Sequence, residues 1–207
     1  MQRRRTMRRA GIATVTVACI MAVAAWTLPA WGEAGATTRT PRPKTDPNLV
    51  SQLAQMRLAT AKYATNLAKA KADGYGIITP MIPNMGIHYM NPNISGFDVT
   101  KPPILVYEHR GSSYQLGALE WVFPSMPTTP PLDNATFGFF PAACHYLDGT
   151  FTPEPDQTAC PSTSPQTGSP FNFWHPDLIT MHVWVWYPNP AGLYASTNPL
   201  VAPFNGG

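Results

Sequence analysis

The chain has 207 residues, of which 12% are charged and 44% are apolar, and it contains 24 prolines. This length predicts one domain with a substantial core, and the low charge excludes an acidic or basic disordered polymer. The formal net charge is +3, but five of the fourteen basic residues lie within the first nine positions. The overall charge therefore says little about the folded part of the chain.

The N-terminal segment has the layout of a secretory signal peptide. Its arginines precede an apolar run from about Ala10 to Trp31, and small residues suited to signal peptidase follow. We expect cleavage after Ala34 or Ala36, so that residues 1–36 form the signal peptide. An uncleaved membrane anchor is a less favoured alternative, and the paired arginines leave a twin-arginine signal as a minority alternative.

Removal of the signal peptide leaves nine Lys or Arg and ten Asp or Glu, a net charge of −1. No basic stripe remains, which excludes nucleic acid as a partner because phosphate binding requires clustered cations. We expect a secreted or periplasmic protein without stable membrane insertion after cleavage. A small-molecule ligand is the expected partner, and the sequence does not define an oligomeric state.

Two cysteines, Cys144 and Cys160, follow the predicted cleavage site. An oxidising compartment predicts a disulfide between them, with two free thiols or a metal-binding pair as the alternative. Residues 37–46 are polar and contain prolines, which predicts a flexible tether. A single globular domain is predicted for residues 47–207.

The first predicted element is an amphipathic helix. Asp46-Pro47 combines an N-cap residue with a proline in the first turn, and apolar residues follow at spacings of three, four or seven. The helix is predicted to end at Asp73-Gly74, where glycine can adopt the left-handed conformation.

Short β-branched and aromatic runs after Gly76 predict strands, separated by proline, glycine and asparagine. The predicted strands are Ile77–Ile82, Ile87–Met90, Ile104–His109, Tyr114–Phe123, Thr136–Phe140 and Ile179–Tyr187. Strands without intervening helices favour antiparallel pairing. The predicted fold is therefore α+β, with the N-terminal helix packed on a mainly antiparallel β-barrel-like or sandwich sheet. Residues 124–135 and 141–178 are predicted as long loops, the second tied by the disulfide.

Common motifs of hydrolases, metalloproteases, phosphate-binding loops and dinucleotide-binding folds are absent from the sequence. Three ionisable residues stand instead within apolar strands. Strand alternation places Glu120 on the same face as Leu116 and Val122, while His88 and His182 lie in two other strands. An unpaired carboxylate in such a position would be costly to bury, so Glu120 requires a partner.

These three residues predict a metal site if the strands share an inner face. Two histidines and one carboxylate are a common ligand set for zinc, iron or manganese, with open positions for water or substrate. The alternative is that His88, Glu120 and His182 each find a separate partner. Copper(I) is less favoured, because Met181 alternates away from His182.

Other ionisable residues receive smaller roles. Glu108 is a candidate acid or base near the rim of the site, although a solvated hairpin tip is the simpler interpretation of Glu108 and His109. His145 and His175 are predicted to be surface residues of the long loop. A second functional hypothesis is a metal-free binding module, whose aromatic face would bind a carbohydrate, an apolar ligand or a partner protein. Its candidate residues are Trp174, Trp184, Trp186, Tyr187 and Tyr194.

Several motifs resemble those of an uncharacterised exported bacterial family with no assigned activity. They are Met85-Gly86-Ile87-His88-Tyr89, Leu105-Val106-Tyr107-Glu108, Leu119-Glu120-Trp121-Val122, His182-Val183-Trp184-Val185-Trp186, Asn189-Pro190-x-Gly192 and Asn198-Pro199. The resemblance covers most of residues 50–202 and implies that His88, Glu108, Glu120 and His182 belong to shared motifs. The chain departs from the family at Trp121, where tyrosine is frequent, and in an insert at 141–170.

Overall fold

The computed structural model describes residues 46–204. The predicted signal peptide, nearly all of the predicted tether and the last three residues lie outside the described residues. The described part is α+β and mainly antiparallel, as predicted. Its helices are α1 (Pro47–Thr60) and α2 (Leu67–Ala72), and 3₁₀ turns occupy Ala61–Tyr63, Gln157–Ala159 and Pro199–Phe204. Its strands are β1 (Gly76–Ile77), β2 (Ile87–Met90), β3 (Ile104–Arg110), β4 (Ser113–Phe123), β5 (Gly138–Phe140), β6 (Ala143–Tyr146), β7 (Phe151–Pro153), β8 (Phe171–His175) and β9 (Leu178–Val183).

The predicted single helix is divided in two. It begins at the Asp46 cap as predicted, but α1 ends at Thr60 and the side chain of Asn66 caps the start of α2. The carbonyl of Ala64, between the helices, accepts a 2.8 Å hydrogen bond from the backbone N–H of Leu116 in β4. The interruption thus joins the helical segment to the sheet.

Two antiparallel sheets form the rest of the described region. The larger has the strand order β1-β2-β3-β4-β9-β5, and the smaller has the order β7-β6-β8. The larger sheet is open, because β1 and β5 at its edges each pair with one neighbour. Of the two predicted arrangements, barrel-like or sandwich, a closed barrel is therefore not found within residues 46–204.

The smaller sheet lies where a long loop was predicted. Its strands span only three to five residues and are separated by proline, serine and threonine, so the sequence pattern gives no extended strand signal. The predicted disulfide between Cys144 and Cys160 is confirmed, and it links β6 to the segment around Cys160. No helix among the described residues is long and apolar enough to cross a bilayer.

A β-bulge changes the faces of β4. Val106 of β3 pairs with Ala118, but the next residue, Tyr107, pairs with Leu116, which leaves Gly117 as the extra residue. Leu116 consequently lies with the core on the helix side of the sheet, whereas alternation predicted it on the face of Glu120. A bulge also increases the local bend of a sheet.

The larger sheet has two distinct faces. One face packs against the helices, with Leu49 and Met56 of α1 in the same core as Leu105, Leu119 and Trp121. We call the other face the cavity face. It carries a smaller apolar cluster that includes Val106, Ala118 and Trp184, and it lines a cavity together with residues of the smaller sheet.

Candidate metal centre

The three predicted ligand residues come from three strands of the larger sheet. Glu120 of β4 and His182 of β9 are directly opposite each other in register, while His88 lies on β2, beyond β3. In a flat sheet β2 and β9 would be about 14 Å apart, three strand spacings of about 4.8 Å. The Nε2 atoms of His88 and His182 are nevertheless 3.3 Å apart, so the sheet curls towards its cavity face.

The donor groups of these three side chains form a triangle in which each imidazole lies against a different oxygen of the Glu120 carboxylate. The His88 Nε2 atom is 3.5 Å from Glu120 Oε2, and the His182 Nε2 atom is 3.5 Å from Glu120 Oε1. A tetrahedral ion with bonds of about 2.1 Å holds its ligand atoms about 3.4 Å apart. The 3.3 Å between the two Nε2 atoms matches adjacent ligands of such an ion, and with Glu120 the residues present could hold a metal ion.

Burial sets the electrostatics of the group, since each of the three side chains is at most about 6% exposed. Burial, and after it the nearby His182, lowers the pKa of His88 to about 3. Burial raises the pKa of Glu120, while His182 and a hydrogen bond from Thr180 act in the opposite direction. The metal-free site thus favours the neutral imidazole of His88, the form that binds metal ions.

Thr79 orients His88. Its Oγ1 atom lies 2.9 Å from His88 Nδ1 and accepts a 3.0 Å hydrogen bond from the backbone N–H of His88. When Nδ1–H donates to this hydroxyl, the lone pair of Nε2 points to Glu120 and His182. Histidines that bind metals generally make such a bond through their second ring nitrogen.

The triangle lies on the wall of a cavity of about 390 Å³. Most of the lining is aliphatic or aromatic and comes from both sheets, including Ile104, Val122, Phe140 and Phe173. This volume is within the usual range for small-molecule sites, which are apolar with a few polar groups. The arrangement can place one ligand of a few heavy atoms beside the His88, Glu120 and His182 side chains.

Comparisons of the chain with protein-family profiles, curated proteins and solved structures gave no match. The resemblance to an exported bacterial family therefore stays a prediction. The chemical interpretation of the site depends on the geometry of its own residues.

Glu108 lies elsewhere. Its side chain is fully buried and is absent from the lining of the cavity, so the hairpin-tip interpretation is wrong for this residue. Its carboxylate stands next to Gly86 and Gly117. Burial raises the pKa of Glu108 to about 8, against the opposing charge of Arg110. His109, at the end of β3, is by contrast only partly buried, and its ring contacts that of Tyr114.

The sequence interpretation missed two residues of the cavity wall, His145 and His175. His145 is fully buried although it was predicted at the surface, and both residues line the cavity. One signal was available: Phe171, Phe173 and His175 recur at every second residue, which is the period of a strand. Met181 is buried on the helix side of the sheet, as alternation predicted.

The five aromatic residues of the alternative hypothesis serve different parts of the molecule. Trp184 belongs to the apolar cluster of the cavity face, while Trp186 packs on the core of the helix side. Four of the five donate hydrogen bonds to separate acceptors. These acceptors are the carbonyls of Glu154, Ala195 and Asp133 and the hydroxyl of Thr60.

Proposed function

We propose that the protein binds a divalent transition-metal ion through His88, Glu120 and His182 and presents it to a small, mainly apolar ligand. The observation that carries the proposal is the approach of three buried donor groups in a mainly apolar wall: 3.3 Å separates the two Nε2 atoms, and 3.5 Å separates each of them from a different Glu120 oxygen. Without a cation, the charge of the carboxylate and the lone pairs of the two imidazoles would lack a common partner. A divalent ion would balance the carboxylate and use both imidazole lone pairs.

The donor set of two imidazoles and one carboxylate is compatible with each of the predicted metals, zinc, iron and manganese. A tetrahedral ion with three protein ligands keeps one position for water or a ligand atom. That position would be filled from the cavity, and the ion would polarise an oxygen or nitrogen donor placed there.

We further propose that this function is performed outside the cytoplasm, in the periplasm or the extracellular space. The disulfide supports this location, because such bonds persist in oxidising compartments. The predicted signal peptide and the resemblance to an exported family support the same conclusion from the sequence.

Metal titration of the full chain tests the proposal. The protein is stripped with a chelator and titrated with Zn²⁺ by calorimetry, and bound metal is counted by elemental analysis. We expect tight binding that His88→Asn and Glu120→Gln each weaken by at least about 100-fold. The matched control is His109→Asn, which removes a histidine outside the cavity. Wild-type affinity in the Glu120→Gln and His88→Asn variants would contradict the proposal.

The apolar lining favours a second candidate, a metal-free binding protein for apolar molecules. An uncharged fluorescent probe, N-phenyl-1-naphthylamine, distinguishes the two. The proposed metal function predicts that a donor-bearing apolar ligand such as an alkyl imidazole displaces the probe more strongly from zinc-loaded than from stripped protein. Equal displacement from both forms would favour the metal-free binder.

A further inference from the structure

A second pair of imidazoles lies on the wall of the same cavity. His145 of β6 and His175 at the end of β8 have their Nε2 atoms 3.1 Å apart. His145 is fully buried, and its ring is stacked on Phe173 with 4.6 Å between the ring centroids. Neither histidine belongs to the His88, Glu120 and His182 triangle, and the proposed function does not use them.

Two backbone carbonyls fix which nitrogen of each ring carries hydrogen. The Nδ1 atom of His145 is 2.7 Å from the carbonyl oxygen of Ile78, and Nδ1 of His175 is 2.7 Å from that of Pro176. A carbonyl oxygen only accepts hydrogen bonds, so both Nδ1 atoms must be donors. In neutral rings the Nε2 atoms then carry lone pairs, and these face each other.

Two converging lone pairs require a cation between them, either a shared proton or a metal ion. The 3.1 Å separation is that of adjacent ligand atoms on one ion, which lie about 3.0 Å apart in octahedral and about 3.4 Å apart in tetrahedral geometry. Both rings already make the Nδ1–H bond to a carbonyl that is typical of metal-binding histidines.

We propose that His145 and His175 bind a second divalent metal ion of the class that prefers imidazole, such as Zn²⁺, Cu²⁺ or Ni²⁺. Both residues line the cavity, so the remaining coordination positions of an ion bound to them would face the same space as the first centre. The two sites share no ligand residue, so this inference does not depend on the first.

The test counts zinc equivalents in the stripped full-length chain. Wild type is expected to bind two, and His145→Asn or His175→Asn is expected to bind one. Asparagine is chosen because its amide can still donate to the carbonyl that holds Nδ1, while Nε2 is removed. His175 is only half-buried, so His175→Asn decides the question if His145→Asn does not fold. His109→Asn is the control and keeps both equivalents.

NMR of ¹⁵N-histidine-labelled protein observes the ring nitrogens of His145 and His175 directly. In the stripped protein, both Nδ1 atoms should carry hydrogen, and zinc should shift both Nε2 resonances, which the two variants assign. Two equivalents in His175→Asn, or Nε2 resonances that zinc leaves unchanged, would overturn the second site. Loss of one equivalent in His175→Asn but none in His88→Asn would support it and refute the first centre.

Discussion

Glu108→Gln should remove a large pH dependence from the stability of the protein. The folded protein holds this carboxyl at a pKa of about 8, against an ordinary value of 4.5, because the side chain is fully buried. Between these two pH values the folded state binds the proton and the unfolded state has released it. Stability from this residue is therefore complete below pH 4.5 and is lost as the pH rises through about 8.

The size of the effect follows from the separation of the two pKa values. Each unit is worth about 1.4 kcal/mol, so ionisation of Glu108 should cost on the order of 5 kcal/mol of unfolding free energy at alkaline pH. This is a large share of the roughly 5–15 kcal/mol that stabilises a typical domain. Glutamine has nearly the same volume and cannot ionise, so the unfolding free energy of the variant should lack this part of the pH dependence.

Urea denaturation of metal-stripped wild type and Glu108→Gln, from about pH 5 to about pH 9, measures the effect. The difference between their unfolding free energies should change in favour of the variant as the pH rises. Glu154→Gln controls for the loss of one carboxylate from a partly exposed position in the chain. Parallel curves for wild type and Glu108→Gln would refute the argument that burial keeps this carboxyl protonated.

Changes at three further places in the structure test other contacts. Thr79→Val should weaken zinc binding by about 10- to 100-fold in calorimetry, because the bond that orients His88 is lost, whereas Thr79→Ser should retain the affinity. Gly86→Ala should lower the unfolding free energy by more than about 2 kcal/mol. The φ angle of Gly86 is +119°, and a Cβ at this position would lie 2.7 Å from the Tyr107 carbonyl oxygen. A smaller loss of stability than that caused by Gly111→Ala would contradict this. Replacement of both disulfide cysteines by alanine should cost about 3 kcal/mol in urea denaturation, and unchanged stability would exclude a stabilising disulfide.

The sequence was informative where side-chain pattern alone determines structure. Strand β2 has the predicted bounds, and the Asp46 cap and the disulfide are confirmed. Strand patterns could suggest that His88, Glu120 and His182 converge, but they could not establish it, because the convergence depends on the curl of the sheet across two intervening strands. That curl is a long-range property.

Local irregularities account for most of the differences. The bulge at Gly117 reverses the face of Leu116, and strict alternation cannot anticipate it. The helix is interrupted where a distant strand bonds to the Ala64 carbonyl. The burial of His145 arises from the pairing of three short strands, which the alternation within one of them does not specify. Each of these features is fixed by tertiary pairing and not by local propensity.

The dipeptide Ile78-Thr79 touches both histidine groups. The carbonyl of Ile78 holds the ring of His145, and the hydroxyl of the next residue, Thr79, holds the ring of His88. A displacement of this short stretch would misalign one imidazole in each group at once. The two groups consequently share one support, and we expect that ordering one of them also restrains the other.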